Sequence, residues 1–410
     1  MTYALHSGAR FTRRRSARSR FALAAAVAGP LAVGMCVGSP AHADSAGWTE
    51  QSVPAGAANI LAVASVGPHT LWATGFTMSD AGGGISFKPL VLARDTSQGT
   101  WTPVQTPAIS GSSRANAISA AGPDDVWVTG DGIGTPGAVS VLTEHWDGTA
   151  WTEIDVPLPS GENTAGELLG VATIGPDDAW AVGNDQSGGS ISALIEHWDG
   201  ASWQAAALPS SLASGVVLNA VTAEGPHDLW AAGVDYDTDE PILLHGDGTT
   251  WQQVALPGAD VTGAYGQYGE LNALVADGAG GVYVVGAAYL TSDDPGHALV
   301  EHWDGREWRR NLPEPSGNAL LLGAALTPQG LAVVGYDPSG TEPIPYGEIL
   351  QGGTWQPLNL PDVGSGGTDP TAALSTRDGL VVVGGYNVAN DDENTFPLVL
   401  QDQLILQNQR

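Results

Sequence analysis

Tryptophan recurs in this sequence with a spacing that few folds can accommodate. Seven tryptophans follow one another at intervals of 47 to 57 residues: Trp48, Trp101, Trp151, Trp203, Trp251, Trp308 and Trp355. A proline lies six residues after six of them and five residues after Trp308. A repeat of about 50 residues is typical of chains in which each unit packs on its neighbours, such as propellers and solenoids.

The other seven tryptophans also fall on repeat positions. Four of them precede a glycine by three residues: Trp72, Trp127, Trp180 and Trp230. In later repeats this place is held by Tyr283, Ala332 and Val381. Three more stand in EHWDG segments: Trp146, Trp198 and Trp303. We therefore expect all 14 tryptophans to pack between repeats and not to form a binding surface.

Each repeat is expected to form four short strands. In the third repeat, apolar and branched residues concentrate in 168–174, 178–184, 192–199 and 202–207. Between them lie turn sequences such as GPDD and DGAS, in which Asp starts a turn and Gly takes a positive φ. A row of such antiparallel units would leave open sheet edges, and closure into a ring protects those edges.

The sequence therefore predicts an all-β fold, a seven-bladed β-propeller of four-stranded antiparallel blades. A lone fourth-strand segment at 47–53 should join the last blade and close the ring; the alternative is that Leu404 to Leu406 supply this strand. The predicted repeats form one domain, 44–410, and run 55–107, 108–157, 158–209, 210–257, 258–313, 314–361, and 362–410 plus 47–53.

Residues 1–43 predict a secretory signal peptide. Six arginines precede an apolar run from Phe21 to Val37, and Ala41-His42-Ala43 places small residues before the cleavage point. This segment holds the one cysteine, six of the 14 basic residues and none of the 44 acidic residues, so the remainder has a formal charge of −36. We expect a secreted, extracellular monomer, exported by the Sec or the Tat route, with no membrane span after cleavage. Nucleic acid is not an expected partner, because phosphates would repel this charge.

The repeat resembles the kelch repeat. The resemblance is carried by VWVTG at 126–130, EHWDGTAW at 144–151 and LVVVGGY at 380–386. The repeats are also similar to the Trp-rich WDGxxW repeats of bacterial secreted propellers. The resemblance implies a propeller over the whole mature chain but no particular activity, because propellers support many activities. Only the last repeat keeps both kelch glycines.

Several kinds of catalytic or metal site are disfavoured. Galactose-oxidase-type enzymes need a Cys–Tyr cross-link, and the mature chain has no cysteine. Sialidases hold a carboxylate with clustered arginines, whereas this chain is strongly acidic. The pairs Glu144-His145, Glu196-His197 and Glu301-His302 look like metal ligands, but they recur in different blades and cannot meet at one ion. We expect them to be structural.

Acidic residues cluster in loops that follow second strands. Asp235, Asp237 and Asp239 alternate in one loop, and Asp391 and Asp392 lie in the last repeat. Alternating carboxylates suit Ca²⁺, which gives a calcium hypothesis. The competing interpretation is solvated surface charge, because DYDTDE lacks the glycine and the distal glutamate of a calcium loop. No other cofactor is expected.

Loop lengths indicate where a ligand would bind. The loops between strands two and three, and those between repeats, vary in length and emerge on one side of a propeller, here called the variable face. The aromatic residues expected there are Phe76, Tyr236, Tyr265, Tyr268, Tyr289, Tyr336 and Tyr386. We expect a non-catalytic binding propeller that takes a neutral glycan or a protein on this face. The competing interpretation is that these rings only cap the blade ends.

Two other functions fit the sequence. A secreted carbohydrate-active hydrolase or lyase would use carboxylates on the variable face, with Glu270, Asp235 and Asp293 as candidates. No paired-carboxylate spacing or nucleophile elbow marks any of them. The other is a structural extracellular component.

Overall fold

A computed structural model describes residues 47–402 except 55, 81–84, 98, 108, 110, 134–140, 159–165, 187–189, 213, 257–267, 291–293, 310–314, 316 and 389–390. The predicted signal segment, Tyr265, Asp293 and Leu404 to Leu406 lie outside these residues. The described part consists of strands and one short 3-10 helix, Ser210–Leu212. No helix in it is long and apolar enough to cross a membrane.

The strands follow the sequence repeats. After β1 (Trp48–Glu50), the first repeat contains β2 (Ala57–Gly67), β3 (Thr70–Asp80), β4 (Ile85–Asp95) and β5 (Trp101–Pro103). The second contains β6 (Ser112–Gly122), β7 (Asp125–Ile133), β8 (Val141–Trp146) and β9 (Trp151–Glu153). The third contains β10 (Gly166–Gly175), β11 (Asp178–Asp185), β12 (Ser192–Trp198) and β13 (Trp203–Ala205). The fourth contains β14 (Val216–Gly225), β15 (Asp228–Asp235), β16 (Glu240–Gly246) and β17 (Trp251–Gln253).

The later repeats have the same order. The fifth contains β18 (Tyr268–Ala276), β19 (Val282–Tyr289) and β20 (His297–Trp303). The sixth contains β21 (Leu320–Thr327), β22 (Gly330–Asp337), β23 (Ile344–Gln351) and β24 (Thr354–Pro357). The last contains β25 (Thr368–Thr376), β26 (Gly379–Val388) and β27 (Asp391–Asp402).

Within a repeat, the strands pair antiparallel in chain order. Among the described residues, four sheets have four strands, one has three, and the second and third repeats share a sheet of eight. That sheet divides into two sets of four strands, joined by one pair, Glu167 with Asp131. In the fifth repeat, Trp308 forms only an isolated bridge with Trp303 where a fourth strand would lie. Six separate sheets therefore correspond to the seven sequence repeats.

The N-terminal strand completes the sheet of the last repeat. β1 pairs with β27, with Trp48 opposite Asp402 and Glu50 opposite Leu400. The innermost strands contact one another in the order β2, β6, β10, β14, β18, β21 and β25, and β25 in turn contacts β2. The chain thus closes on itself in a propeller arrangement.

Tryptophans fill the core between neighbouring repeats. Trp127 of the second repeat packs against Trp198 and Trp203 of the third, with ring centroids 5.0 and 4.9 Å apart. Trp72 packs in the same way against Trp146 and Trp151 of the second repeat. These separations are in the range of favourable aromatic pairs. Because one large ring spans two repeats, its recurrence follows from the packing of adjacent blades.

A β-bulge beside a glycine recurs in every repeat. In the third repeat, Leu168 pairs with Gly183, but it is Gly170 that pairs with Val182, so one residue of β10 is skipped. A Cβ on Gly183 would overlap the carbonyl oxygen of Glu167. The equivalent overlap would occur at Gly75, Gly130, Gly233, Gly286, Gly335 and Gly384. The close approach of the two inner strands therefore explains the glycine that follows the recurrent aromatic residue.

Candidate functional site

The two faces of the propeller are built differently. On the face opposite the variable one, aspartates close the turns between strands three and four: Asp147, Asp199, Asp247 and Asp304 each accept two backbone N–H bonds. The hydroxyl of Thr149 and the N–H groups of Ala150 and Thr149 lower the pKa of Asp147 to about 2. These repeated, self-contained turns make that face a scaffold.

Two aromatic residues expected on the variable face are buried. Phe76 is 5% exposed and packs edge-on against Phe87, with centroids 5.2 Å apart. Tyr336 is 4% exposed in an apolar cluster with Leu320 and Leu322. Neither ring is accessible to a ligand, because each packs against apolar neighbours at the end of its blade. For these two residues the expected role is corrected to core packing.

Other predicted tyrosines come together across neighbouring repeats. Tyr268 and Tyr289 lie opposite each other on β18 and β19 and are half-buried, and Tyr289 packs against the cluster that contains Tyr336. The loop that carries Tyr236 is joined to them, because the N–H of Gly269 donates to the carbonyl of Asp239 at 2.9 Å. Tyr236, Tyr268, Tyr289 and Tyr336 therefore lie on three consecutive repeats, the fourth to the sixth, and of these Tyr289 and Tyr336 share one cluster.

Tyr386 forms a second aromatic feature on the last repeat. Its ring stacks on Phe396, with centroids 5.4 Å apart and an interplanar angle of 22°. Both rings are half-buried. Phe396 was not singled out from the sequence, because it lies on the strand after the variable loop and carries no repeat signature.

Large exposed apolar side chains are concentrated on the variable face. In the part of the chain that the structure describes, they are Ile191, Leu290, Leu326, Ile344 and Val388, at 36, 49, 37, 51 and 38% exposure. All except Leu326 lie in or beside a loop between strands two and three. Sequence reasoning missed them, because an apolar residue beside a strand end looks like a continuation of the strand.

In the acidic loop of the fourth repeat, part of the carboxylate hydrogen bonding is made within the loop itself. Asp235 accepts bonds from the N–H groups of Asp237 and Thr238 at 2.8 and 3.3 Å, and so caps its own turn. Asp239 has a φ of 58°. Among the described residues, no three His, Cys, Asp or Glu side chains group in a way that could hold a metal ion. Asp391 and Asp392 begin β27, and their side chains lie outside the described part, so the calcium hypothesis stays a prediction.

A partly buried charged network joins the second and third repeats, and sequence reasoning did not find it. Arg114 donates to both carboxylate oxygens of Asp131, at 2.9 to 3.2 Å. Asn116 donates to Asp131 at 3.0 Å and to the carbonyl of Leu168 in the next repeat at 3.2 Å. These groups hold the inner strands in register. The only feature of the sequence that could have indicated this network is the small number of basic residues in the chain.

The glutamate–histidine pairs are built into separate repeats. His145 stacks on Trp127 with its Nε2 atom 2.8 Å from Asp125, and His302 stacks on Tyr283 with Nε2 3.1 Å from Asp277. His197 has the equivalent contacts with Trp180 and Asp178. Each imidazole is therefore positioned by residues of its own repeat.

The neighbouring glutamates are unusual core residues. Glu144 and Glu196 are fully buried, and neither carboxyl group has a hydrogen-bond partner within the described residues. Burial raises the pKa of both to about 8, with Glu153 adding to the effect on Glu144. Burial also raises the pKa of Glu301 to about 7. The carboxyl groups of Glu144 and Glu196 are therefore mostly protonated at neutral pH.

Two of the carboxylates considered for hydrolysis, Glu270 and Asp235, lie within the described residues. Glu270 is 7% exposed on the innermost strand β18, and the side-chain amide of Asn272 lies 3.5 Å from its Oε1 atom. Asp235 is occupied as a turn cap.

Comparisons with known proteins identify the fold class. No family model matches the sequence, and no curated protein matches it. A structure of YCF48 bound to a D1 peptide is similar, with a TM-score of 0.54 and 17% identity over 88% of this chain and 98% of that chain. The GH74 xyloglucanase from Xanthomonas campestris is similar with a TM-score of 0.50 and 15% identity over 85% of this chain. The match spans only 55% of the xyloglucanase.

These likenesses concern the fold alone, because both identities are low. The chain is an all-β protein of the β-propeller class, with tryptophan-rich blades. Its resemblance to the kelch repeat is not matched by any family model.

Proposed function

We propose that this protein is a secreted, seven-bladed, non-catalytic propeller that binds a polypeptide on its variable face. The single observation that carries the proposal is the position of the exposed apolar side chains. Four of the five among the described residues lie on the face whose loops vary. Three of these four, Leu290, Ile344 and Val388, lie on consecutive repeats, and exposed apolar residues gathered on one surface commonly mark an interaction site.

The seven-blade count rests on the inner strands. Their contacts run through seven members before returning to β2, and each sequence repeat contributes one of them. The shared eight-stranded sheet then consists of two blades linked by the Glu167–Asp131 pair. Secretion is proposed from the signal-peptide pattern of residues 1–43, and a monomeric state from ring closure within one chain.

A polypeptide is favoured over the other ligand classes by two considerations. The similar YCF48 structure contains a bound peptide, which supports a propeller of this shape as a peptide-binding scaffold. A glycan-stacking site would need open aromatic faces, whereas Phe76 and Tyr336 are buried and Tyr289 packs against an apolar cluster. The hydrolase alternative is less favoured, because the described candidate Glu270 is buried and Asp235 is engaged as a turn cap.

The test compares three probe classes on purified residues 44–410. We expect binding to members of a random-peptide library, no binding on a glycan array, and no turnover of a polysaccharide panel. Glycan binding alone would replace the polypeptide with a sugar ligand. Turnover would make the protein an enzyme, and a folded protein inert to all three would favour a structural component.

A further inference from the structure

We infer that the variable face carries one docking site, on the fifth to seventh repeats, for an extended basic polypeptide with large apolar side chains. The inference rests on the proposed function and specifies its site and the chemistry of its partner. We call this site the apolar rim. It consists of Leu290, Ile344 and Val388 together with the aromatic residues Tyr289, Tyr386 and Phe396.

The loops that carry Leu290 and Ile344 are held side by side. The N–H of Leu290 donates to Asp294 at 2.7 Å, which closes its loop. Gly296, in the same loop, lies so close to Leu320 of the sixth repeat that a Cβ would come within 2.6 Å of it. Asn318 forms a bridge with His297 and donates to Ser339 at 2.9 Å. Ser339 lies in the loop that leads into β23, where Ile344 is the first residue.

The sixth and last repeats are joined in the same way. The N–H of Thr368 donates to the carbonyl of Pro343 at 3.2 Å. Asn387 exchanges two backbone bonds with the neighbouring glycines, Gly366 and Gly367, both at 2.9 Å. Pro343 and Asn387 directly precede Ile344 and Val388. One short segment, 366–368, therefore fixes both exposed apolar residues relative to each other.

The apolar rim is thus a fixed surface that spans three consecutive repeats. Tyr289 directly precedes Leu290 and packs against the cluster of Leu320, Leu322 and Tyr336. The stacked pair Tyr386 and Phe396 lies near the end of β26, two residues before Val388. An extended chain presents alternate side chains on one side, so it can place successive apolar groups against successive repeats. Pre-formed loops reduce the ordering entropy that such binding costs.

The charge around the apolar rim selects a basic partner. Glu342, two residues before Ile344, and Asp362, before β25, are both exposed, and the whole chain has a formal net charge of −30. The lysine and arginine that the structure describes on this face are Lys88 and Arg114, which lie in the first two repeats. Both are already engaged, Lys88 with backbone carbonyls and Arg114 with Asp131. Complementary charge therefore favours lysine- or arginine-rich segments and disfavours acidic ones.

The test uses residues 44–410 as the target and a random-peptide phage library as the probe. We expect selected peptides to be enriched in basic and large apolar residues, with affinity that falls as salt is raised. For a synthetic selected peptide, the triple variant Leu290→Ser, Ile344→Ser, Val388→Ser should weaken binding by about tenfold or more. The variant Glu342→Lys should also weaken it without removing any apolar group; Asp362 is kept, because it accepts a hydrogen bond from the Thr368 hydroxyl at 2.9 Å.

Two control variants are supplied by the chain. Leu326→Ser removes an apolar side chain about as exposed as Val388 from the opposite face, and Ile191→Ser removes an exposed isoleucine from the variable face outside the apolar rim. Both should bind the peptide as the unmodified protein does. Circular dichroism and thermal melting check that every variant is folded.

The possible outcomes distinguish failure of the proposed site from failure of the proposed function. Enrichment of acidic or uncharged polar peptides, or full binding by the triple variant, overturns the inference. If the triple variant binds normally but Ile191→Ser does not, polypeptide binding on the variable face stands and the apolar rim is the wrong site. If a folded protein selects no peptide, both the inference and the polypeptide function fall.

Discussion

Glu144 and Glu196 occupy a place in their third strands that three other repeats fill with leucine and two fill with glutamate, Glu301 and Glu348. Aligned by their partners on the fourth strand, the equivalent residues include Leu92, Leu244 and Leu400. Because ionised carboxylates without partners are costly to bury, the folded chain keeps the carboxyl groups of Glu144 and Glu196 protonated. The sequence predicts a structural role for the EHWDG segments. It cannot show that the glutamate side chain is buried in an apolar layer.

We therefore expect stability to fall as pH rises. The pKa of each group is about 8 in the folded chain, above the ordinary 4.5, so the protons stabilise the folded state relative to the unfolded state. This stabilisation is complete below about pH 4.5 and is lost progressively as the pH approaches 8, because the unfolded chain ionises first. Glu144→Leu and Glu196→Leu should each recover on the order of a few kcal/mol at about pH 8.

Urea unfolding of the wild type and both leucine variants, from about pH 5 to about pH 9, measures this effect. Glu307→Gln is the control, because Glu307 is exposed in a turn and its replacement should leave the pH dependence unchanged. Leucine variants that lose stability with pH as steeply as the wild type would show that these carboxyl groups are not the source.

At the scale of the strand, the glycine that follows the recurrent aromatic residue and the β-bulge opposite it occur together in every repeat. The sequence predicted the four strands of the third repeat to within a few residues at each end, because apolar runs and turn residues mark them. It did not predict the bulge, since the skipped residue varies in chemistry, from Leu61 and Leu169 to Asn116 and Thr371. Only the pairing of the backbones shows that these skipped residues occupy equivalent positions.

The polar residues at the skipped position link neighbouring strands. Asn219 and Asn272 donate to the carbonyls of Leu271 and Leu321 in the next repeat, at 2.9 and 3.0 Å. Repeats with leucine at this position lack such a side-chain bond and rely on apolar packing. The bulge thus supplies a variable position at which adjacent blades are joined.

Gly183→Ala tests the requirement for close approach. The added Cβ would overlap the carbonyl of Glu167, so the two inner strands must separate, and we expect a loss of at least about 2 kcal/mol in the free energy of unfolding. Gly175→Ala is the matched control, because a Cβ there meets nothing within 4 Å. Equal urea midpoints for the two variants would contradict the role assigned to the glycine.

The candidate site could be predicted only in part, because packing at the ends of strands decides which residues are exposed. Variable loops directed attention to the face that carries four of the five exposed apolar residues of the described part, but exposure of a residue at a strand end depends on the neighbouring repeat. Tyr336 is covered by Leu320 and Leu322, whereas Leu290 and Ile344 are left open. No single-sequence pattern encodes that difference.

At the scale of the whole molecule, closure depends on contacts between the first and last parts of the chain. Apolar residues Ile60 and Leu71 of the first repeat cluster with Val381 and Val383 of the last. The hydroxyl of Thr371 donates to the carbonyl of Ile60 at 3.0 Å. β1 adds a further link, because it pairs with β27 and the indole of Trp48 donates to the carbonyl of Leu358 in the sixth repeat at 2.8 Å.

Removing β1 should therefore weaken the ring and open a sheet edge. A chain beginning at residue 54 loses the buried Trp48 and leaves β27 unpaired on one side, so we expect its melting midpoint to fall by about 5 °C or more. The exposed edge should also promote association, which size-exclusion chromatography with light scattering detects. A chain ending at Asp402 is the control: it keeps the β1–β27 pairing and should melt like the full mature chain. If the C-terminal truncation lowers the melting midpoint and the N-terminal truncation does not, the tail beyond Asp402 closes the ring in place of β1.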